Sequence, residues 1–106
     1  MNLDSIFYPK SIAIIGASTE VGHVGNDIVK NLITQGYKGK IFPVNPKTTK
    51  LYDLKCYPFV LAIKEKVDLA IIVVPSSIVP TVLETVAKKN IKGVIIISAG
   101  FKEVGN

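Results

Sequence analysis

The chain has 106 residues, with 13 basic against 8 acidic side chains and a formal net charge of +5. That length fits one domain and buries roughly 65% of the unfolded surface, enough for a real core with little to spare. With 48% hydrophobic and 20% charged residues the composition is globular, not disordered, and apolar runs such as Leu69 to Val74 fall far short of the ~20 residues a membrane span needs.

Along the chain, strand and helix signals alternate. Ser11 to Ile15 is an apolar run that stops at Gly16 and reads as a buried strand. A loop follows to about Gly25. Ile28, Val29, Leu32 and Ile33 then fall on one face of a helix, which Gly36 ends as a C′ residue. Lys40 to Val44 is a second strand, and Pro43 places it near an edge or a strand end. The stretch from Thr48 to Glu65 carries the weakest pattern; Pro58 to Ile63 predicts a short helix with proline in its first turn. Asp68 to Val74 is a nearly continuous apolar strand of the kind found in the middle of a parallel sheet, and Pro75 breaks it. Ser77 is the expected N-cap of the next helix, with Pro80 in its first turn and Ile78, Val79, Val82, Leu83, Val86 and Ala87 as its apolar stripe. Gly93 to Ser98 is a last buried strand, ending at Ala99-Gly100.

This order predicts a Rossmann-like, doubly wound α/β fold with a mainly parallel sheet. Such a fold would continue with another helix and strand, so the chain is expected to be a truncated piece of a longer multidomain protein, residues 1–106 forming one domain of it.

Ligands of doubly wound sheets bind beyond the carboxyl ends of the strands. That rule selects Gly16 to Gly25, Asn45 to Lys47, Pro75 to Ser77, and Ala99 to Phe101. The first segment sits where a phosphate-binding loop belongs: backbone N–H groups and the helix N-terminus can hold anionic oxygens, and Ser18 or Thr19 adds a hydroxyl. It is not a GxGxxG motif, and a plain strand-to-helix turn, with Ser18 bonding its own backbone, is the alternative. A NAD site wants an acid at the end of the second strand; Val44-Asn45-Pro46-Lys47 offers none and supplies a positive charge instead. NADP and coenzyme A both fit that charge, although Lys47 is also one lysine among 13. Val74-Pro75-Ser76 either aims backbone groups at the crevice or only ends a strand.

No catalytic machinery stands out. There is no Walker lysine loop, HExxH or nucleophile elbow. His23 reads as a polar contact in the loop, Glu20 as a solvated charge and Cys56 as a small apolar filler. One cysteine and one histidine exclude an intrachain disulfide and do not make a structural zinc site by themselves. With no secretory leader pattern, a cytoplasmic location is the expectation. All 13 basic residues are lysines and they are scattered, which argues against specific DNA reading by arginine.

Taken together, the motifs resemble a known family. Phe7 to Ser18, then Gly22-x-x-Gly25, then Tyr37 to Lys47 look like the start of the NDP-forming acyl-CoA synthetases. These include the ADP-forming acetate–CoA ligases and are related to the succinyl-CoA synthetase alpha subunit. Lys55-Cys56-Tyr57-Pro58, Val67 to Pro75 and Ile97 to Glu103 continue in the same order. The resemblance implies an N-terminal CoA-binding domain, with Gly16, Ser18, Thr19, Glu20 and Val21 contacting CoA, Gly22 behind them, Asn45 and Lys47 beside it, and Val74, Pro75 and Ser76 lining the site. The pantetheine arm would cross the Pro75 and Gly100 strand ends. It also implies acyl-CoA formation from an acid, CoA and a nucleoside triphosphate through an acyl phosphate. The phosphorylated histidine of that mechanism belongs to a later domain, so His23 is not given that role. Ser76-Ser77 departs from the Ala-Pro common in the family.

The expected function is therefore CoA binding for an ADP-forming acid–CoA ligase, without catalysis by this chain alone. The expected partners are the missing ligase and ATP-grasp domains or a partner subunit, with a homo-oligomer left open. The rival readings are a CoA-binding regulatory module of a protein acetyltransferase or sensor, and an NADP-binding oxidoreductase domain.

Overall fold

The computed structural model describes residues 3–97. A short helix, α1 (Asp4–Phe7), precedes strand β1 (Ser11–Ile15), helix α2 (Val24–Thr34) and strand β2 (Lys40–Val44). A small hairpin follows, β3 (Lys50–Leu51) and β4 (Leu54–Lys55), then a 3-10 turn at Val60–Ala62. Strand β5 (Leu69–Ile72), helix α3 (Val79–Lys88) and strand β6 (Gly93–Ile96) complete the described chain. The main sheet is parallel, in the order β2-β1-β5-β6. The connection from β1 runs one way and that from β5 the other, so the strand order reverses between them. This is the Rossmann-like arrangement expected from the alternating pattern.

Strand periodicity explains the two cores. Side chains of a strand alternate between faces. Ala13, Ile15, Ala70 and Ile72 point to the face covered by α3 and the 3-10 turn, with Val86, Val60 and Ile63. Ile12, Ile14 and Leu69 point to the other, with Val29 of α2 and Leu51 of the hairpin. Every residue of β1 is buried, which is why that strand reads as continuously apolar.

Pro43 sits on an edge strand, as its residue type demands. Its carbonyl accepts the Tyr57 N–H at 2.9 Å from outside the sheet, and Tyr57 O in turn accepts the Asn45 N–H at 2.8 Å. In a strand a residue's nitrogen and oxygen face the same side, so the missing N–H of proline faces away from β1 and costs no ladder bond.

The structure corrects several expectations. Thr48 to Glu65, the least readable stretch, holds a hairpin whose two turn residues, Tyr52 and Asp53, have left-handed φ values of 50° and 67°, the backbone of a two-residue hairpin turn. Pro58 to Ile63 forms only the three-residue 3-10 turn. Strand β5 stops at Ile72, because β1 turns away at Gly16 after Ile15 O accepts the Val73 N–H at 2.7 Å. Helix α3 is preceded by Ile78, not Ser77, in the cap position. A capping hydroxyl on Ser77 would need the N–H of Val79 or Pro80; proline has none, and that of Val79 goes to Ser76 O at 3.3 Å. In β6, Ile95 and Ile96 are 39% and 47% exposed, so this strand is not buried along its length. Ser98 to Phe101 lie outside the described residues.

Candidate functional site

The loop after β1 is set by close backbone approach at two glycines. A Cβ on Gly16, where φ is +99°, would lie 1.9 Å from Val73 O; one on Gly25 would lie 2.1 Å from Gly16 O. Only glycine lets β5, the loop and the first turn of α2 meet so closely.

Polar side chains from three other segments then tie the loop down. Asn45, just past β2, donates through Nδ2 to Ala17 O at 2.7 Å and accepts the Lys47 N–H on Oδ1 at 2.7 Å. Asn26, in the first turn of α2, donates through Nδ2 to Ser18 O at 2.8 Å. Its Oδ1 accepts the Tyr52 hydroxyl from the hairpin turn at 2.8 Å. Asn26 is 1% exposed, so this pairing is what makes its burial tolerable. Ser18 Oγ accepts the Glu20 N–H at 3.0 Å and lies 3.2 Å from His23 Nδ1, while His23 Nε2 stands 3.3 Å from Glu20 Oε1. Ser18 thus does bond its own backbone, the contact expected of a plain turn, but the loop is also held by partners remote in sequence.

A cleft of about 550 Å³ opens at the carboxyl ends of the strands. Its walls are Ile15 to Ala17 at the end of β1, Val44 to Lys47 at the end of β2, Val74 after β5, Pro58 to Val60 leading into the 3-10 turn, Ile78 in the cap position of α3, and Thr81, Val82 and Thr85 in α3. Among the residues expected from sequence, Gly16, Asn45, Lys47 and Val74 share these walls. Ser18, Thr19, Glu20, Val21 and Gly22 form the adjoining loop, where Thr19 to Gly22 are exposed. Pro75 and Ser76 are exposed at the start of the turn into α3 and are not part of the cleft wall.

Sequence reasoning missed Asn26, Tyr52, Phe59 and the α3 face of the cleft. Asn26 had a signal: it precedes the buried Val29 by three positions, a polar residue on the core face of an amphipathic helix. Tyr52 had none, because the hairpin itself was not legible. Cys56 is buried, and burial pushes its thiol above the usual range, although hydrogen bonds at the backbone of Asn45 and Tyr57 pull the other way. Its S–H points at Asn45 O, 3.8 Å away. Among the described residues, no group of three or more His, Cys, Asp and Glu is placed to hold a metal ion. No helix among them is long and apolar enough to cross a membrane.

Similar proteins share both the sequence and this architecture. The sequence profile of the CoA binding domain matches residues 10–104. An ADP-forming acetate–CoA ligase II of Archaeoglobus fulgidus is 54% identical over 104 residues, covering 98% of this chain and 16% of the ligase. The alpha subunit of an ADP-forming acetate–CoA ligase I of Pyrococcus furiosus is 50% identical over 109 residues, covering 99% of this chain and 24% of the subunit. The solved acetyl-coenzyme A synthetase 1 of Ca. Korarchaeum cryptofilum, in complex with phosphate and ADP, superposes with a TM-score of 0.90 at 44% identity, over 99% of this chain and 23% of that one. The chain thus spans less than a quarter of each of these proteins. A cleft at the point where strand order reverses is where a doubly wound sheet receives a nucleotide-like ligand, and with the sequence match running from before β1 to beyond β6, this chain belongs to the CoA binding domain family.

Proposed function

We propose that this chain is the CoA-binding part of an ADP-forming acid–CoA ligase of the acetate–CoA ligase type. The observation that carries the reading is the family match across residues 10–104 combined with a cleft at the reversal of strand order. The donor set fits the ligand. In this reading loop residues Gly16 and Ser18 to Val21 face the CoA phosphates, with Gly22 behind them, and the exposed Lys47 on the rim supplies a cation to a phosphate group. The walls of Val44, Phe59, Val60, Ile78 and Val82 are apolar, suited to the less polar parts of the molecule. Val74, Pro75 and Ser76 border the path of the pantetheine arm.

In this reading the chain binds and orients CoA, and the acyl-transfer chemistry belongs to ligase and ATP-grasp parts on the same polypeptide or on a partner subunit. Acetate, or another small carboxylic acid, is the acyl donor of the whole enzyme. The reading places the protein in the cytoplasm, where CoA and ATP are available.

Calorimetric titration with CoA, dephospho-CoA, NAD and NADP at two salt concentrations tests this. The expected result is selective CoA binding that weakens with salt, with loss of the 3′-phosphate and with Lys47→Ala. The substitution is expected to cost about tenfold in affinity, the scale of one charge-assisted contact. Tighter NADP than CoA binding would overturn the reading.

A further inference from the structure

We propose that Asn26 and Asn45 are a matched pair of positioning residues that turn two successive loop amides toward the ligand, and that Tyr52 locks one of them. The argument begins with which way each amide side chain points. A backbone carbonyl only accepts and a backbone N–H only donates. Asn45 lies between Ala17 O and the Lys47 N–H, at 2.7 Å from each, so its Nδ2 and Oδ1 are assigned by their partners. Asn26 lies against Ser18 O at 2.8 Å, which assigns its Nδ2. Its Oδ1 then faces Tyr52, whose hydroxyl must donate.

The peptide units do the rest. No described peptide bond is cis, and in a trans peptide the C=O and the following N–H point in opposite directions. Drawing Ala17 O toward Asn45 turns the Ser18 N–H away from it. Drawing Ser18 O toward Asn26 turns the Thr19 N–H away likewise. Neither N–H has an acceptor among the described residues. The pair are adjacent donors beside the N-terminus of the 11-residue helix α2, an arrangement suited to anionic oxygens. Tyr52 reaches Asn26 from a backbone held at φ 50°, a conformation that costs energy for a tyrosine and is compatible with a hydroxyl being required there.

This inference rests on the loop being where the CoA phosphates bind, and the test separates the two. Inorganic pyrophosphate and CoA are titrated into the 15N-labelled 106-residue chain, with the Ser18 and Thr19 amide resonances as readout. Both resonances are expected to shift with either ligand. If pyrophosphate moves them and CoA does not bind, the amide pair stands and the CoA reading falls. If CoA binds and leaves them unmoved, or neither ligand moves them, the pair is overturned. Tyr52→Phe keeps the ring and removes the lock; it is expected to weaken CoA about fivefold and also to lower Tm, since it leaves the buried Asn26 Oδ1 without its donor. Asn26→Asp sets a carboxylate oxygen against Ser18 O and is expected to weaken CoA by more than about thirtyfold. Should the aspartate variant not fold, Tyr52→Phe decides: wild-type CoA affinity and an unchanged Thr19 response overturn the proposal.

Discussion

The two halves of the sheet, β1–α2–β2 and β5–α3–β6, share one topology but treat the turn after the first strand differently. The turn from β1 into α2 is held by side chains from outside it: Asn45 on Ala17 O, and Asn26 backed by Tyr52 on Ser18 O. The turn from β5 into α3 closes on its own backbone, with the Ile78 N–H donating to Pro75 O at 2.9 Å and that of Val79 to Ser76 O at 3.3 Å. The first turn presents polar backbone in a defined direction. The second carries α3 across the sheet so that Ile78, Thr81 and Val82 wall the cleft. Topology provides the place for a ligand; in the proposed reading the polar ties make the first turn the one that meets its charged end.

The comparison breaks most readily at Gly16. Gly16→Ala puts a methyl 1.9 Å from Val73 O at φ +99°, and we expect a loss of about 3 kcal/mol or more, or failure to fold, in urea unfolding. A fully stable variant would mean that the first turn is not as constrained as its contacts indicate. Next is the contrast within the sheet. Ile72 is 0% exposed and Ile96 47% exposed. Ile72→Ala is expected to cost about 2–5 kcal/mol, while Ile96→Ala costs well under half as much in the same assay.

A third test concerns pH. Among the described residues, the groups with raised pKa values are Cys56 and Tyr57, just after β4, through burial, the latter helped by Glu65, and Tyr37, between α2 and β2, through burial and the charge of Asp68. A raised folded-state value means that the native state holds its proton where the unfolded chain releases it. The associated stability is complete below the unfolded value and is lost as pH rises through the folded one. Tm is therefore expected to fall above about pH 9, the thiol's ordinary value being 9.0, and Cys56→Ala should flatten the onset of that fall. The smallest effect is expected at Ser77→Ala, under about 0.5 kcal/mol, because Ser77 caps nothing; a loss above about 1 kcal/mol would restore it as the cap of α3.

Much of the fold was legible because burial on both faces leaves a simple mark. Ser11–Ile15 and Lys40–Val44 match their expected bounds, since each is a short apolar run closed by Gly16 or by Asn45-Pro46. Residues 48–65 were not legible: a two-residue strand has no period to read, and its left-handed turn is occupied by Tyr52 and Asp53 where glycine or asparagine would have signalled it. The N-cap was misplaced for a related reason. Serine in the right register is a capping signal only if an N–H is available to it, and Pro80 removes one.

In the site, Gly16, Asn45 and Lys47 could be named from the rule that strand ends bind ligands. That rule does not reach Asn26 or Tyr52: Asn26 showed only as a polar residue on the core face of α2, Tyr52 not at all, and their contacts span eight and 26 positions of the chain. Local features of the chain were enough for the alternation of elements, the parallel sheet and the strand ends where a ligand belongs, because hydrophobic periodicity and chain-breaking residues act over short stretches. Tertiary packing alone set which carbonyls are drawn inward, which loop amides lack an acceptor among the described residues and which face of α3 closes the cleft. Those depend on hydrogen bonds and close contacts between segments that only folding brings together.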